Sequence, residues 1–271
     1  MTPPPPPPLE VHARLQFAAT NTMPCAKLAL NWFGKDTFTP DHKSDGSPVT
    51  IADKSIETEL RKRIEGAFPN DAILGEEFDD KPGTNDYQWV IDPIDGTISF
   101  VQGIPLFGTM LACLHKGTPV IGAIAMPCLD ELVYAATGQG AFHQVNSGDP
   151  VPARVSDTIQ LSNSLVNTTA LTYFNTPQLR TLYERIDSEC KYTRGFPDCY
   201  GIVLLATGRV DAVVEPSVAI WDIASVPPII SEAGGLATDI AGQHTVHTNS
   251  LLAATPAVHQ QLLQLIQSQA D

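Results

Sequence analysis

The chain of 271 residues can bury a substantial interior, because 43% of its residues are apolar and 17% are charged. Its formal net charge of −14, with 16 Lys and Arg residues spread along the sequence, argues against nucleic acid, whose binding requires clustered basic side chains. The same surplus of carboxylates would repel a phosphorylated substrate, so a substrate of that class requires bound cations.

The first eight residues are mostly proline and lack the basic and apolar regions of a secretory signal. We expect residues 1–8 to form a disordered, extended tail. No run of about 18 apolar residues occurs, so the sequence predicts no membrane partner and a soluble, cytoplasmic protein.

The first half of the sequence alternates helical and extended patterns. Apolar residues at helical spacing predict a helix over residues 9–32, interrupted near Pro24, and an amphipathic helix over 55–68. Two short apolar runs then end in acids, at Glu76 and at Asp92. Residues 107–136 are typical of antiparallel strands joined by hairpins, which gives a predicted α+β lobe over residues 9–150.

The second half predicts strands that alternate with helices. Strands are expected near residues 165–169 and 211–215, and helices over 177–188, 199–206, after Asp222, and over 256–267. This alternation is typical of an α/β lobe, assigned to residues 151–271, and of a layered α/β fold overall.

The most informative segment is 89–97, Trp-Val-Ile-Asp-Pro-Ile-Asp-Gly-Thr. A buried strand runs there into a turn that presents Asp92 and Asp95. Magnesium prefers such oxygen ligands, and a helix that begins near Gly96 or Thr97 would direct free N–H groups toward a phosphate. Taken alone, however, two aspartates three residues apart are most often solvated turn residues.

The context of that segment resembles the signature blocks of the inositol monophosphatase-like phosphatases. The similar blocks are Gly75-Glu76-Glu77, the segment 92–97, Trp221-Asp222-Ile-Ala, and Glu232-Ala-Gly-Gly, together with the segment 47–53. They occur in the family's order, and the resemblance spans about residues 10–265.

The resemblance implies an αβαβα sandwich, up to three Mg²⁺ ions, direct attack of metal-activated water on phosphorus, and a homodimer. It implies metal ligation by the side chains of four acids and the carbonyl of one further residue: Glu76, Asp92, Asp95, Asp222 and Ile94. The resemblance also implies catalytic roles for Asp53, Thr97 and Glu76, and phosphate binding by Gly96 and Thr97.

Within the family, segments 99–108 and 194–201 resemble the histidinol-phosphate phosphatase branch. This implies substrate contacts by Arg194, Asp198 and Glu215, and acids suit a substrate that carries an ammonium and a protonatable imidazole. Asp198 could instead cap the helix that follows it. The sequence departs from the branch at Ile98, where a lysine is usual.

Two other functions remain open at this point: a phosphatase for inositol monophosphate or a related sugar phosphate, and an inactive regulator that binds metal or phosphate. A nucleotide-binding protein is disfavoured because the sequence lacks G-x-x-x-x-G-K-[ST]. The five cysteines have no C-x-x-C spacing and the histidines no metal-ligand spacing, so reduced thiols and no zinc are expected.

Overall fold

The computed structural model of the protein describes residues 8–35, 41–42, 48–49 and 51–268. Residues 1–7 of the predicted tail lie outside this part, and the first helix begins at Pro8. Ser47 and Thr50 of the 47–53 block also lie outside it.

Two helices, Pro8–Ala26 (α1) and Ile51–Ala67 (α2), form the first layer. Pro24 lies inside α1, which ends two residues later and continues as the tighter 3-10 helix Lys27–Asn31. A proline removes one helical hydrogen bond, which fits this change of winding. Helix α2 begins before the predicted residue 55, and its first turn therefore includes Asp53.

A mixed sheet of seven strands forms the second layer of the described structure. The strands lie side by side in chain order, with the first pair parallel and each later pair antiparallel. The seven strands are Ala72–Gly75 (β3), Tyr87–Asp95 (β4), Gly108–His115 (β5), Thr118–Met126 (β6), Glu131–Ala136 (β7), Gly140–Val145 (β8) and Val151–Pro152 (β9). A separate antiparallel pair, Asp41–His42 (β1) and Pro48–Val49 (β2), precedes them in the chain.

The third layer consists of three helices packed between this sheet and a second one: Cys199–Ala206 (α5), Ile220–Ile223 (α6) and Val226–Glu232 (α7). Helix α5 is apolar on all sides, as a helix covered by two sheets must be. The single helix expected after Asp222 is instead divided, and the two prolines 227 and 228 fall in the first turn of α7, where they cost no helical hydrogen bond.

The second sheet and two outer helices complete the sandwich. The five described strands of the sheet are Leu165–Asn167 (β10), Tyr192–Arg194 (β11), Ala212–Glu215 (β12), Leu236–Thr238 (β13) and Leu251–Ala254 (β14). They lie in the order β11-β10-β12-β14-β13, and β10, β11 and β12 are parallel to one another. The outer helices are Pro177–Glu189 (α4) and Pro256–Gln267 (α8). A short helix, Thr97–Val101 (α3), follows β4.

Buried apolar side chains fill the space between each pair of layers. The middle cluster combines Val90 and Met110 of the first sheet with Leu205 and Ile229 of the middle helices. The two predicted lobes therefore share one core. The layer order is helix, sheet, helix, sheet, helix, which confirms the predicted αβαβα sandwich. No helix in the described ranges has the length and apolar character needed to cross a membrane.

Candidate active site

A cavity of about 920 Å³ opens where the loop after β4 meets the second sheet and the middle helices. Its described walls carry six carboxylic acids and no Lys, Arg or His side chain. The six are Glu76, Asp92, Asp95, Asp198, Glu215 and Asp222. Six acids without a basic residue form a site that attracts cations.

Three of these acids converge at one point. Asp92, Asp95 and Asp222 each offer a carboxylate oxygen, and the three oxygens lie within 4.8 Å of one another. Asp92 and Asp95 are brought to the same end of β4 because its register with β5 shifts between them. Asp222 comes from the first turn of α6, so residues more than a hundred positions apart complete the cluster.

Backbone donors hold two of the three carboxylates in place. Asp222 Oδ2 accepts the N–H of Ala219 at 2.7 Å. Asp95 Oδ2 accepts the N–H of Cys199, the first residue of α5. Asp92 differs, since its Oδ1 is fully buried and has no hydrogen-bond partner among the described residues. A buried carboxylate oxygen without a donor is costly, and a metal ion would satisfy it.

The acids also perturb one another electrostatically. Burial, followed by the charges of neighbouring acids, raises the pKa values of Asp92 and Asp95 well above their ordinary range. Burial and the nearby Glu76 raise the pKa of Asp222 to about 6. Crowded, all-oxygen donors of this kind fit a hard divalent cation such as Mg²⁺.

Glu76 reaches the cavity from the neighbouring strand. Because β3 and β4 are parallel, their carboxyl ends lie together, and the N–H of Glu76 donates to the carbonyl of Ile91 at 3.3 Å. Glu76 lines the cavity and its charge acts on Asp92 and Asp222, although it is not one of the three clustered acids.

The sequence reasoning missed Glu57, which secures this edge from α2. The Glu57 side chain is fully buried, accepts the N–H of Glu77 at 2.8 Å and pairs with Arg61 at 2.7 Å. A Cβ at Gly75 would lie 2.0 Å from Glu57 Oε1, so a side chain there would displace the Glu57 carboxylate from its contact with Glu77. The spacing of Glu57 and Arg61 predicts a helical ion pair, but the contact with Glu77 is tertiary.

The turn after β4 has the predicted form. Gly96 has a φ of 85°, and α3 begins at Thr97. The Thr97 hydroxyl donates to the carbonyl of Ile94 at 3.0 Å, which closes the turn. All three residues line the cavity beside the clustered acids, and so does Ile98, which is 63% exposed.

A second part of the cavity wall, called the second wall below, contains Asp198 and Glu215. Tyr173 and Thr169, which the sequence reasoning missed, also line it. Burial raises the pKa of Asp198 to about 6 and that of Glu215 to about 8. Burial and the surrounding acids raise the pKa of the Tyr173 phenol to about 12. Tyr173 lies in the 3-10 turn Leu171–Tyr173, and no motif marks that segment in the sequence.

The alternative role of Asp198 as a helix cap is wrong. Asp198 occupies the N-cap position of α5, but its side chain makes no capping hydrogen bond. The N–H groups of Tyr200 and Gly201, which such a cap would bind, donate to the backbone carbonyls of Pro197 and Asp198. One Asp198 oxygen lies 2.9 Å from where a Cβ of Gly96 would stand, so the side chain is directed toward the turn after β4.

Two of the residues implied by the resemblance lie elsewhere. Asp53 is buried in the first turn of α2. Arg194 is exposed at the end of β11, where its guanidinium donates to the carbonyl of Thr193 at 2.7 Å and lies 5.5 Å from the ring of Tyr192. The structure does not bring Arg194 to the described wall of the cavity.

Comparisons with known proteins agree with this geometry. The model of the inositol monophosphatase family matches residues 12–271. A histidinol-phosphatase from Chlorobaculum parvum is 38% identical over 253 residues, which are 93% of this chain and 96% of that protein. A protein from Pasteurella multocida named Nus factor SuhB is 32% identical over 246 residues, 89% of this chain and 90% of its own length.

Among solved structures, an IMPase from Thermotoga maritima superimposes with a TM-score of 0.83 at 28% identity and covers 95% of this chain and 98% of its own. The family is one of magnesium-dependent phosphatases. The family match, the relative at 38% identity and the shared fold lead to one conclusion: this chain is a phosphatase that belongs to the inositol monophosphatase family.

Proposed function

We propose that this chain is a magnesium-dependent phosphomonoesterase that hydrolyses L-histidinol phosphate to L-histidinol and phosphate, a step of histidine biosynthesis. One observation carries the choice of substrate: Asp198 and Glu215 add two carboxylates to the cavity wall that do not belong to the cluster of three aspartates. Acids that hold no metal suit a leaving group with an ammonium and a protonatable imidazole.

The metal centre of the proposal consists of the carboxylates of Glu76, Asp92, Asp95 and Asp222 and the carbonyl of Ile94, which would hold up to three magnesium ions. The oxygen-only donor set and the unpartnered oxygen of Asp92 support this assignment. Bound magnesium supplies positive charge that acidifies water and offsets the charge of the phosphoryl oxygens.

The remaining roles belong to the protein's own groups. The N–H groups at Gly96 and Thr97 bind phosphate oxygens at the start of α3. Asp53, which lies in the first turn of α2 and outside the described cavity wall, would either orient the attacking water together with Thr97 or accept its proton, and Glu76 is the third catalytic residue. Water oxygen forms a bond to phosphorus while the bond from phosphorus to the alcohol oxygen breaks, and no nucleophilic Ser or Cys is needed.

The cationic end of the substrate then lies against the second wall, which contains Asp198 and Glu215. Asp198 and Glu215 accept hydrogen bonds from the ammonium or the imidazolium, and Tyr173 offers an aromatic face beside them. Arg194 lies outside the described wall, so the proposal gives it no contact within a single chain. A homodimer in the cytoplasm completes the proposal, as the family resemblance implies.

Inositol monophosphate is the second candidate substrate. The likeness to a solved IMPase at a TM-score of 0.83 favours it, and it would use the same metal centre and the same phosphate-binding turn. The difference lies in the leaving group, since inositol offers hydroxyl groups only and has no charge for Asp198 and Glu215 to recognise.

The test is phosphate release by the purified protein with magnesium, comparing L-histidinol phosphate, inositol 1-phosphate and glycerol 2-phosphate, with a chelator control. We expect a clear preference in kcat/KM for L-histidinol phosphate. A preference for inositol 1-phosphate would retain the metal chemistry and overturn the substrate. Release from none of the esters would support the inactive regulator instead.

A further inference from the structure

Thr169 connects the two acids of the second wall, although no motif marks it in the sequence. It lies two residues after β10 and lines the cavity. Its N–H donates to Glu215 Oε1 at 2.6 Å, and its hydroxyl oxygen accepts the N–H of Asp198 at 2.9 Å. The hydroxyl also donates to the Glu215 carboxylate, so its removal affects both acids. Glu215 is 46 positions away in the sequence and Asp198 is 29, so one residue joins three separate segments at the cavity.

Asp198 has a backbone conformation that needs such support. Its φ of 52° and ψ of −139° lie in a region that residues other than glycine rarely adopt. Strain of this kind persists only where surrounding contacts hold the chain. Here the Thr169 hydroxyl holds the N–H of Asp198, and the Asp95 carboxylate holds the N–H of the next residue, Cys199.

These two hydrogen bonds, to the N–H groups of Asp198 and Cys199, determine where the Asp198 carboxylate lies. With the peptide bonds on both sides fixed, the side chain is directed toward Gly96 and into the cavity. Both side chains line the same cavity, and the charge of Asp198 acts on Glu215. A relaxed backbone at Asp198 would move one carboxylate away from the other.

We propose that Thr169 is a positioning residue for substrate specificity, whose hydroxyl fixes the backbone of Asp198 so that the Asp198 and Glu215 carboxylates together bind the cationic group of the substrate. The inference rests on the proposed function, because it requires a phosphate monoester whose alcohol carries an ammonium. Thr169 itself takes no part in the transfer of the phosphoryl group.

The chain offers a matched set of variants. Thr169→Val removes the hydroxyl and keeps both the branched shape and the N–H that Glu215 accepts. Thr169→Ser keeps the hydroxyl. Thr168→Val is the control, since the neighbouring Thr168 Oγ1 is buried and has no hydrogen-bond partner among the described residues. Removal of that hydroxyl leaves every described hydrogen bond intact.

The experiment compares KM and kcat for L-histidinol phosphate and glycerol 2-phosphate at saturating magnesium, with inhibition by L-histidinol as a second measure of binding. We expect Thr169→Val to raise KM for L-histidinol phosphate and the inhibition constant of L-histidinol by about five- to tenfold. Its kcat and its values for glycerol 2-phosphate should change by less than about twofold. Thr169→Ser and Thr168→Val should both resemble the wild type.

Several results would overturn the inference while leaving the proposed function standing. These are an unchanged KM in Thr169→Val, an equal loss on both esters, or a Thr169→Ser variant as impaired as Thr169→Val. If Thr169→Val does not fold, Thr169→Ala carries the same expectation. A wild-type protein without preference for L-histidinol phosphate over glycerol 2-phosphate would overturn the proposed function itself, and the inference with it.

Discussion

The two walls of the cavity are built in different ways. In the metal wall, formed by the four acids of the proposed metal centre, one short stretch at the end of β4 supplies two carboxylates, Asp92 and Asp95. In the second wall, Asp198, Glu215 and Thr169 come from three separate segments that only tertiary contacts bring together.

In the proposed function, this contrast separates the chemistry of the site from its selectivity. The metal wall would need oxygen ligands at fixed positions, and a buried strand followed by a tight turn provides two of them, Asp92 and Asp95. The second wall needs only an arrangement of charge that matches one leaving group. We therefore expect changes in the metal wall to abolish turnover on every ester, and changes in the second wall to alter the choice among esters.

The largest expected effect belongs to Asp95→Asn. Loss of one carboxylate from the cluster should lower kcat at least about a thousandfold on all phosphate esters, because several kcal/mol of metal-dependent stabilisation are removed. Circular dichroism should show an unchanged fold. The control is Asp149→Asn, which alters an exposed aspartate outside the cavity. Full activity in Asp95→Asn would refute the metal assignment.

A smaller and selective effect is expected for Asp198→Asn. The amide keeps the size of the side chain but loses the charge-assisted contact with the substrate, so kcat/KM for L-histidinol phosphate should fall roughly 10- to 100-fold. For glycerol 2-phosphate the change should stay below about threefold. Steady-state kinetics on both esters measures the difference, and a uniform loss would place Asp198 with the metal wall.

The smallest effect concerns stability rather than activity. Burial raises the pKa of Glu215 from 4.5 to about 8, so the protonated side chain stabilises the metal-free protein at low pH, and this contribution is lost as the pH rises through 8. Glu215→Gln stays neutral. With a chelator present, its melting temperature should match that of the wild type near pH 5 and exceed it near pH 9, by a few degrees.

Thermal unfolding across that pH range tests the sign of the difference in melting temperature between Glu215→Gln and the wild type. Asp149→Asn is measured in parallel as a control. A melting temperature of Glu215→Gln below that of the wild type at pH 9 would mean that the ionised carboxylate is stabilised by its hydrogen bond from Thr169 more than burial penalises it. The ionised Glu215 of the second wall would then stabilise the folded protein. The second wall would serve stability as well as selectivity, and the two walls would differ less in function.

The sequence predicted those parts of the molecule that local patterns determine. Helix α8 has the predicted limits, and the convergence of Asp92 and Asp95 follows from a strand that ends in a turn. The division between α6 and α7 could not be foreseen from apolar spacing alone, although the two prolines mark it. Local patterns of this kind carry the fold because burial and backbone hydrogen bonds act within each element.

The rest depends on contacts between distant segments. Glu57 supports the 76–77 turn from helix α2, and Thr169 supports Asp198 from the segment that follows β10. The capping prediction for Asp198 was wrong because its side chain is directed toward Gly96, while the N–H groups of Tyr200 and Gly201, which a cap would bind, donate to backbone carbonyls. Spacing within a sequence carries no information about such long-range partners.

The absence of a side chain at Gly96 limits how this site can be redesigned. The residue has a positive φ, and its Cα faces the Asp198 carboxylate so closely that even one added methyl group would displace it. Engineering a different substrate preference should therefore keep Gly96 and vary positions 198 and 215, where a neutral or basic residue would favour esters whose alcohols are uncharged or acidic. Selectivity could then be changed without rebuilding the metal loop.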